Sequence, residues 1–219
     1  MATANDELEK HKELMKPDAL LGNHKFGYPL VLCHGFWLDV GAVQNYRYYY
    51  NFDFRDDDVF VVSPPKCGTH WLYYAIYLLV TKNYGDVPKH QQLPILEFMH
   101  RFDKSVAEAL EQETKRRVIA THMPAPLLPK DAFKGKVIYV YRNPKDVAIS
   151  LFHHHKNHIL WPFDVTFDEW IEIYMKGETS FGPYPEHVKE MLKLESEMGK
   201  NVLFVSYEEM KKVNLRKCL

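Results

Sequence analysis

Apolar residues fall along this chain in short, nearly unbroken runs, each stopped by a proline, a cation or a histidine. Val59 to Val62 is the clearest, followed by Ser63 and a pair of prolines. Val118 to Thr121 stops at His122, Lys136 to Tyr141 at Arg142, and Val202 to Ser206 at Tyr207. Short runs rich in β-branched and aromatic side chains, without polar alternation, mark strands covered on both faces. Helix-like segments lie between them: Leu72 to Val80 after the first run, Ser105 to Arg117 before the second, Val147 to His155 after the third. Buried strands alternating with helices predict an α/β fold, a central parallel sheet flanked by helices. Ligands of such sheets sit beyond the carboxyl ends of the strands, and Lys66, His122, Arg142 and Tyr207 all fall there.

The rest of the chain is less patterned. Residues 1–25 read as a loosely attached, partly helical lead-in, with Leu8, Leu14 and Met15 on one narrow stripe before Pro17. Phe26 to Cys33 reads as a short strand, and Val40 to Phe54 is crowded with tyrosine and phenylalanine. Such a cluster either packs a core or lines an apolar cavity. Residues 26–219 are read as one domain.

Composition narrows the function. The chain has 219 residues, 46% hydrophobic and 26% charged, enough for a sizeable core, and a net charge of -1 gives no general pull toward nucleic acid or an anionic membrane. Anion binding must therefore be local. Cys33, Cys67 and Cys218 lack CxxC spacing, so neither a disulfide framework nor a zinc site is favoured. The first ten residues are charged where a secretory signal is apolar, and no run reaches the ~18 apolar residues of a membrane span. The expectation is a cytoplasmic protein.

The most informative stretch is Pro64-Pro-Lys-Cys-Gly-Thr-His-Trp71. A strand passing to a helix through a glycine turn leaves free N–H groups where the helix dipole favours negative charge. Lys66 adds a cation, Gly68 permits close backbone approach, and Thr69 adds a hydroxyl. The Lys precedes the Gly, so this is a P-loop-like phosphate site without Walker order, and nucleotide hydrolysis is not implied. The plain alternative is a turn whose Lys faces solvent. His153, His154 and His155, with His158, suggest a metal site, but consecutive residues fan around a helix, and no metal is expected.

Taken together these stretches resemble the cytosolic sulfotransferases, which transfer the sulfuryl group of 3′-phosphoadenosine 5′-phosphosulfate (PAPS) to a hydroxyl or amine. The family's phosphosulfate loop, Tyr-Pro-Lys-Ser-Gly-Thr-Thr-Trp, is similar to residues 64–71. Its Lys-Thr-His-Leu-Pro segment is similar to Ala120-Thr-His-Met-Pro124, and its Arg-Asn-Pro-Lys-Asp-Val-Ala-Val-Ser segment to residues 142–150. A glycine pattern falls on Met175 to Gly182, and a Tyr-Glu-Asp-Met signature on Tyr207 to Met210. The resemblance implies that Lys66 contacts the phosphosulfate and its bridging oxygen. It also implies that Cys67, Gly68, Thr69 and His70 complete the loop, Trp71 stacks on the adenine, Arg142 and Ser150 hold the 3′-phosphate, and Tyr207 meets the adenine. His122 would be the base that deprotonates a small apolar acceptor such as a phenol, alcohol or steroid, with Phe26, Phe36 and Trp37 in its pocket.

Departures from the family pattern set a second expectation. Ala120 replaces a common Lys, Cys67 a Ser and His70 a hydroxyl residue. The family's later Arg-Lys-Gly loop over the 3′-phosphate and its dimerisation motif have no counterpart here, so a family-type homodimer is doubtful. Exposed apolar surface is also expected, and the alternative is a truncated chain that binds PAP or PAPS with little turnover. A nucleotide kinase, a third reading, rests on the anion loop alone.

Overall fold

The computed structural model describes residues 19–21, 29–82, 84–85, 87, 92–102, 104–157, 163–199 and 202–212. The stripe of Leu8, Leu14 and Met15, together with Phe26, His158 and Cys218, lies outside them. The chain opens with an antiparallel sheet of β1 (Ala19–Leu21), β2 (Leu30–Cys33) and β3 (Phe36–Asp39), in that order. Short helices α1 (Val40–Gln44) and α2 (Tyr46–Tyr50) follow. Then come β4 (Val59–Val62), α3 (Thr69–Thr81), α4 (Leu96–Phe102), α5 (Lys104–Gln112) and β5 (Val118–Thr121). Two 3-10 turns lead to β6 (Lys136–Tyr141), α6 (Pro144–Lys156), α7 (Phe167–Lys176), α8 (Tyr184–Met198), β7 (Val202–Ser206) and α9 (Tyr207–Lys212).

The four expected strands make one parallel sheet in the order β5-β4-β6-β7. Its burial explains the unbroken apolar runs. On β4, Val59 and Val61 pack with Leu72, Tyr73, Ile76 and Tyr77 of α3, whereas Phe60 and Val62 face a second cluster holding Phe54, Leu110, Ile119, Phe133 and Tyr139. Both faces are covered, so alternation is absent. A fully buried ion pair, Arg117 to Asp58 at 2.6 Å, ties the start of β5 to the start of β4. Most of the crowded aromatics of residues 40–54 are structural: Tyr49, Phe52 and Phe54 are buried in the core, and the phenylalanines meet edge to face.

The antiparallel sheet was only partly foreseen. Within the expected lead-in, Ala19–Leu21 is extended and pairs with β2 in the register Leu20 opposite Val31. The hairpin from β2 to β3 turns through His34 and Gly35, both at positive φ. Trp37 N–H of β3 donates to Gly182 O at 2.8 Å, which carries the 177–183 segment onto this sheet. A Cβ at Gly182 would lie 2.5 Å from Gly177 O, so the segment folds this tightly only with glycine there. The far edge of the parallel sheet is thinly covered: Leu203 of β7 is 59% exposed.

Candidate active site

The carboxyl ends of β4, β5 and β6 open into one cavity of about 540 Å³. Lys66, Gly68, Thr69, His70, Trp71, His122, Arg142, Ser150 and Tyr207 line it. Nine residues expected from sequence to serve one site are thus brought together across 141 positions of chain.

At one end stands the anion loop. Ser63 and two prolines end β4, and the chain then turns through Lys66 at φ 68° and Gly68 at φ 99°. Left-handed residues in such a turn point successive N–H groups to one side and make an anion-binding concavity. Gly68 is also the N-cap of α3, so the helix dipole adds to that field. A Cβ on Gly68 would lie 2.6 Å from Tyr207 Cδ2, so the glycine is required both by conformation and by the ring against it. Thr69 is buried, its hydroxyl 2.6 Å from that of Ser63, which ties the helix start to the strand end. Burial and the Arg142 charge hold the Lys66 ammonium below its ordinary pKa. His70 is likewise lowered, by burial and then by Lys66.

The second arm of the anion end comes from β6. Asn143 caps α6 by accepting from Lys145 N–H at 3.0 Å, and Pro144 occupies the first turn. This sharp exit aims Arg142 back across the loop: its Nη1 donates to Lys66 O at 3.2 Å and its guanidinium sits 4.4 Å from the Tyr207 ring centre. Tyr207 in turn meets Trp71 edge on at 5.9 Å. Arg142 Nε is buried with no hydrogen-bond partner among the described residues. A buried guanidinium donor left unmatched beside an N–H-rich loop is what an anionic ligand completes, so the residues present fit a phosphate group. Ser150, two turns along α6, borders the same space with His154.

The other end holds His122. Its Nδ1 lies 2.9 Å from Ser63 O, and since a carbonyl only accepts, Nδ1 carries the proton and Nε2 keeps its lone pair. Burial lowers its pKa to about 4, with His187, His70 and His154 adding to the effect, so the ring is neutral at pH 7. Ile95, Phe98 and Phe181 line the cavity around it, with the Phe181 ring 5.7 Å from the imidazole. Asp39 and Ser180 border the same end and are hydrogen-bonded to one another at 2.9 Å.

Two expected residues stand elsewhere. Phe36 is 4% exposed in the core, Trp37 packs on the α6–α7 cluster, and neither lines the cavity, while Phe26 falls outside the described residues. The apolar wall comes instead from Phe98, which no local motif advertises, and Phe181, within the Met175 to Gly182 glycine pattern. Cys67 is in the loop but points inward; burial pushes its thiol up to about 12, which makes it unreactive. Ala120 is fully buried against the α3 side of the sheet. Among the described residues no group of His, Cys, Asp and Glu is placed to hold a metal, and no helix is long and apolar enough to cross a membrane.

Comparison with known proteins fits this geometry. The family model described as "Sulfotransferase domain" matches residues 56–218. Rat sulfotransferase 1 family member D1 is 34% identical over 169 residues, covering 74% of this chain and 56% of the relative. The solved mouse sulfotransferase SULT7A1 complexed with PAP has a TM-score of 0.69 at 34% identity, covering 85% of this chain and 64% of that one. Retinol dehydratase in complex with retinol and PAP has a TM-score of 0.67 at 26% identity over 95% of this chain and 70% of that one. The chain thus spans little more than half the length of the rat relative.

Proposed function

The chain belongs to the sulfotransferase domain family, and from that membership we propose that it transfers a sulfuryl group from PAPS to a hydroxyl or amine of a small apolar acceptor. The observation that carries this reading is the single cavity that joins the Lys66–Arg142 anion end to the unprotonated Nε2 of His122. PAP in the mouse sulfotransferase and retinol with PAP in retinol dehydratase are ligands of the two chemistries that these ends fit.

PAPS supplies the transferable sulfuryl group and a phosphate leaving group. Arg142, through its unpartnered Nε, holds the 3′-phosphate with Ser150. Trp71 and Tyr207 flank the adenine. The loop amides from Lys66 to Thr69 receive the 5′-phosphate, and the Lys66 ammonium stabilises the charge that builds on it as the S–O bond breaks. His122 Nε2 takes the proton from the acceptor hydroxyl as the new S–O bond forms, a role that general bases fulfil with roughly 10²–10⁴-fold acceleration. Phe98, Phe181 and Ile95 exclude water and select an apolar acceptor such as a phenol, alcohol or steroid. A cytosolic setting, where PAPS-dependent transfer to small acceptors is at home, completes the proposal.

A second reading is a chain that binds PAP or PAPS and turns over little. Ala120 favours it, because its methyl is wholly buried on the α3 side of the sheet and brings no charge to the cavity. Calorimetric titration with PAP, with Arg142→Ala as control, tests what both readings share. Tight binding lost in the variant is expected; a folded chain that shows no heat with PAP contradicts both. Product formed from PAPS and a small phenol then separates them.

A further inference from the structure

His122 is gripped through its own peptide groups from two sides. On one side its N–H donates to Glu97 Oε1 at 2.7 Å, while the other carboxylate oxygen accepts from Thr121 Oγ1–H at 2.7 Å. Thr121 Oγ1 in turn accepts from Met123 N–H at 3.0 Å, so a single carboxylate fixes three consecutive residues. Glu97 is itself immobilised: it is wholly buried, and its main-chain carbonyl accepts from Asn45 Nδ2 at 3.1 Å. On the other side His122 O accepts from His187 Nε2–H at 3.0 Å, and His187 Nδ1 accepts from the Tyr139 hydroxyl at 3.0 Å. His187 is fully buried. A carboxylate and an imidazole enclosed in the core are costly to bury, and here both are spent on the peptide of one residue.

We propose that Glu97 is a positioning residue for the base: its carboxylate, opposed by His187, fixes the main chain of residues 121–123 and thereby the direction that His122 Nε2 faces. The inference rests on the reading of His122 as the base. It also gives the reaction a second titrating group. Burial raises the Glu97 carboxyl to about 7, with its bonds to Thr121 and His122 opposing that shift and Asp39 adding to it. Among the described residues Tyr49 and Asp39 are titratable groups in electrostatic contact with it. As pH falls through 7 the carboxyl gains a proton, one oxygen loses its place as acceptor, and the grip loosens. His122 itself stays unprotonated down to about 4, so the acid limb of turnover belongs to Glu97.

The test uses Glu97→Leu and Glu97→Gln in the full chain, with two readouts. Long-range ¹⁵N NMR of the His122 ring reports its tautomer without any turnover. The wild-type ring is expected wholly protonated at Nδ1, and Glu97→Leu mixed. For transfer, Glu97→Leu is expected to lower kcat on the order of 10²-fold with the KM for PAPS unchanged, the cost of a misaligned group. Glu97→Gln offers one acceptor oxygen at every pH, as the protonated acid does, so its kcat is expected to stay near the reduced acid-side level of the wild type, with the acid limb near pH 7 gone. A folded Glu97→Leu with the wild-type tautomer and kcat overturns the proposal, and so does a Glu97→Gln profile with its acid limb intact. Should Glu97→Leu not fold, the Glu97→Gln profile decides. Should the wild-type chain transfer nothing, the reading of function fails, and the ring tautomer in Glu97→Gln still decides the role of Glu97.

Discussion

The two ends of the cavity are built by opposite means. The anion end is made of main chain and cation: left-handed Lys66 and Gly68, a helix start, and an arginine whose Nε lacks a partner. The base end is made of enclosed side chains, with Glu97 and His187 wholly buried and both the N–H and the carbonyl of His122 paired within the fold. The first end leaves donors open for a ligand to complete, and the second leaves open only one ring nitrogen. Binding and chemistry are thereby separable: damage at one end should leave the other working.

The largest expected effect is at the base end. His122→Ala should lower transfer by roughly 10²–10⁴-fold while PAP affinity, read by calorimetry, stays within about two-fold, a tolerance set by the absence of His122 from the anion end. Arg142→Ala should do the reverse. It removes the charged donor and the face on the Tyr207 ring, costing about 1.5–3 kcal/mol of PAP affinity, or roughly 10–150-fold in Kd. An equal loss of affinity in both variants breaks the comparison.

Gly68→Ala is a smaller and sharper probe. It forces a side chain into φ 99° with Cβ 2.6 Å from the Tyr207 ring, so loop and ring must part. About 1–3 kcal/mol of strain is expected, seen as a lower Tm and weaker PAP binding, with the His122 tautomer unchanged. A tautomer change there would show that the two ends are mechanically joined.

The smallest effect is on stability against pH. His122 and His187 have folded pKa values of about 4, below the unfolded ~6.5, and Glu97 about 7, above the unfolded ~4.3. The two histidines contribute stability above ~6.5 that is lost as pH falls toward 4; Glu97 acts in the opposite sense over much of the same window. Two against one, stability should fall with acid, and His187→Gln should flatten the fall in Tm between pH 6.5 and 5. An unchanged slope would mean that His187 is not buried neutral.

The same contrast explains what was legible in the sequence. The parallel strands and the anion end are local: Ser63 to Trp71 and Arg142 to Ser150 each carry their chemistry within nine residues, so residue type and spacing suffice. The base end joins residues 25, 59 and 65 positions apart, and no spacing rule reaches that far. Glu97 and His187 therefore look like ordinary helix residues until the fold encloses them. Helices α4, α7 and α8 escaped for a related reason. Their apolar residues are spread among charges, as in Glu190-Met-Leu-Lys-Leu194, and α7 is recognised only once its Thr166–Glu169 capping box is seen closed. The pocket aromatics were misplaced because Phe36 and Phe181 are equally apolar in sequence. In the fold both join one core cluster, and Phe181, carried by the segment whose Gly182 pairs with Trp37, also borders the cavity.

The most direct test of the account is a single-turnover assay: chain in excess over radiolabelled PAPS, a small phenol as acceptor, and wild type beside His122→Ala at matched PAPS occupancy and one early time. The account predicts sulfated phenol from the wild-type chain and at most a hundredth as much from the variant. Equal product from the two would contradict it, for the ring nitrogen that the fold holds open would then have no part in the transfer.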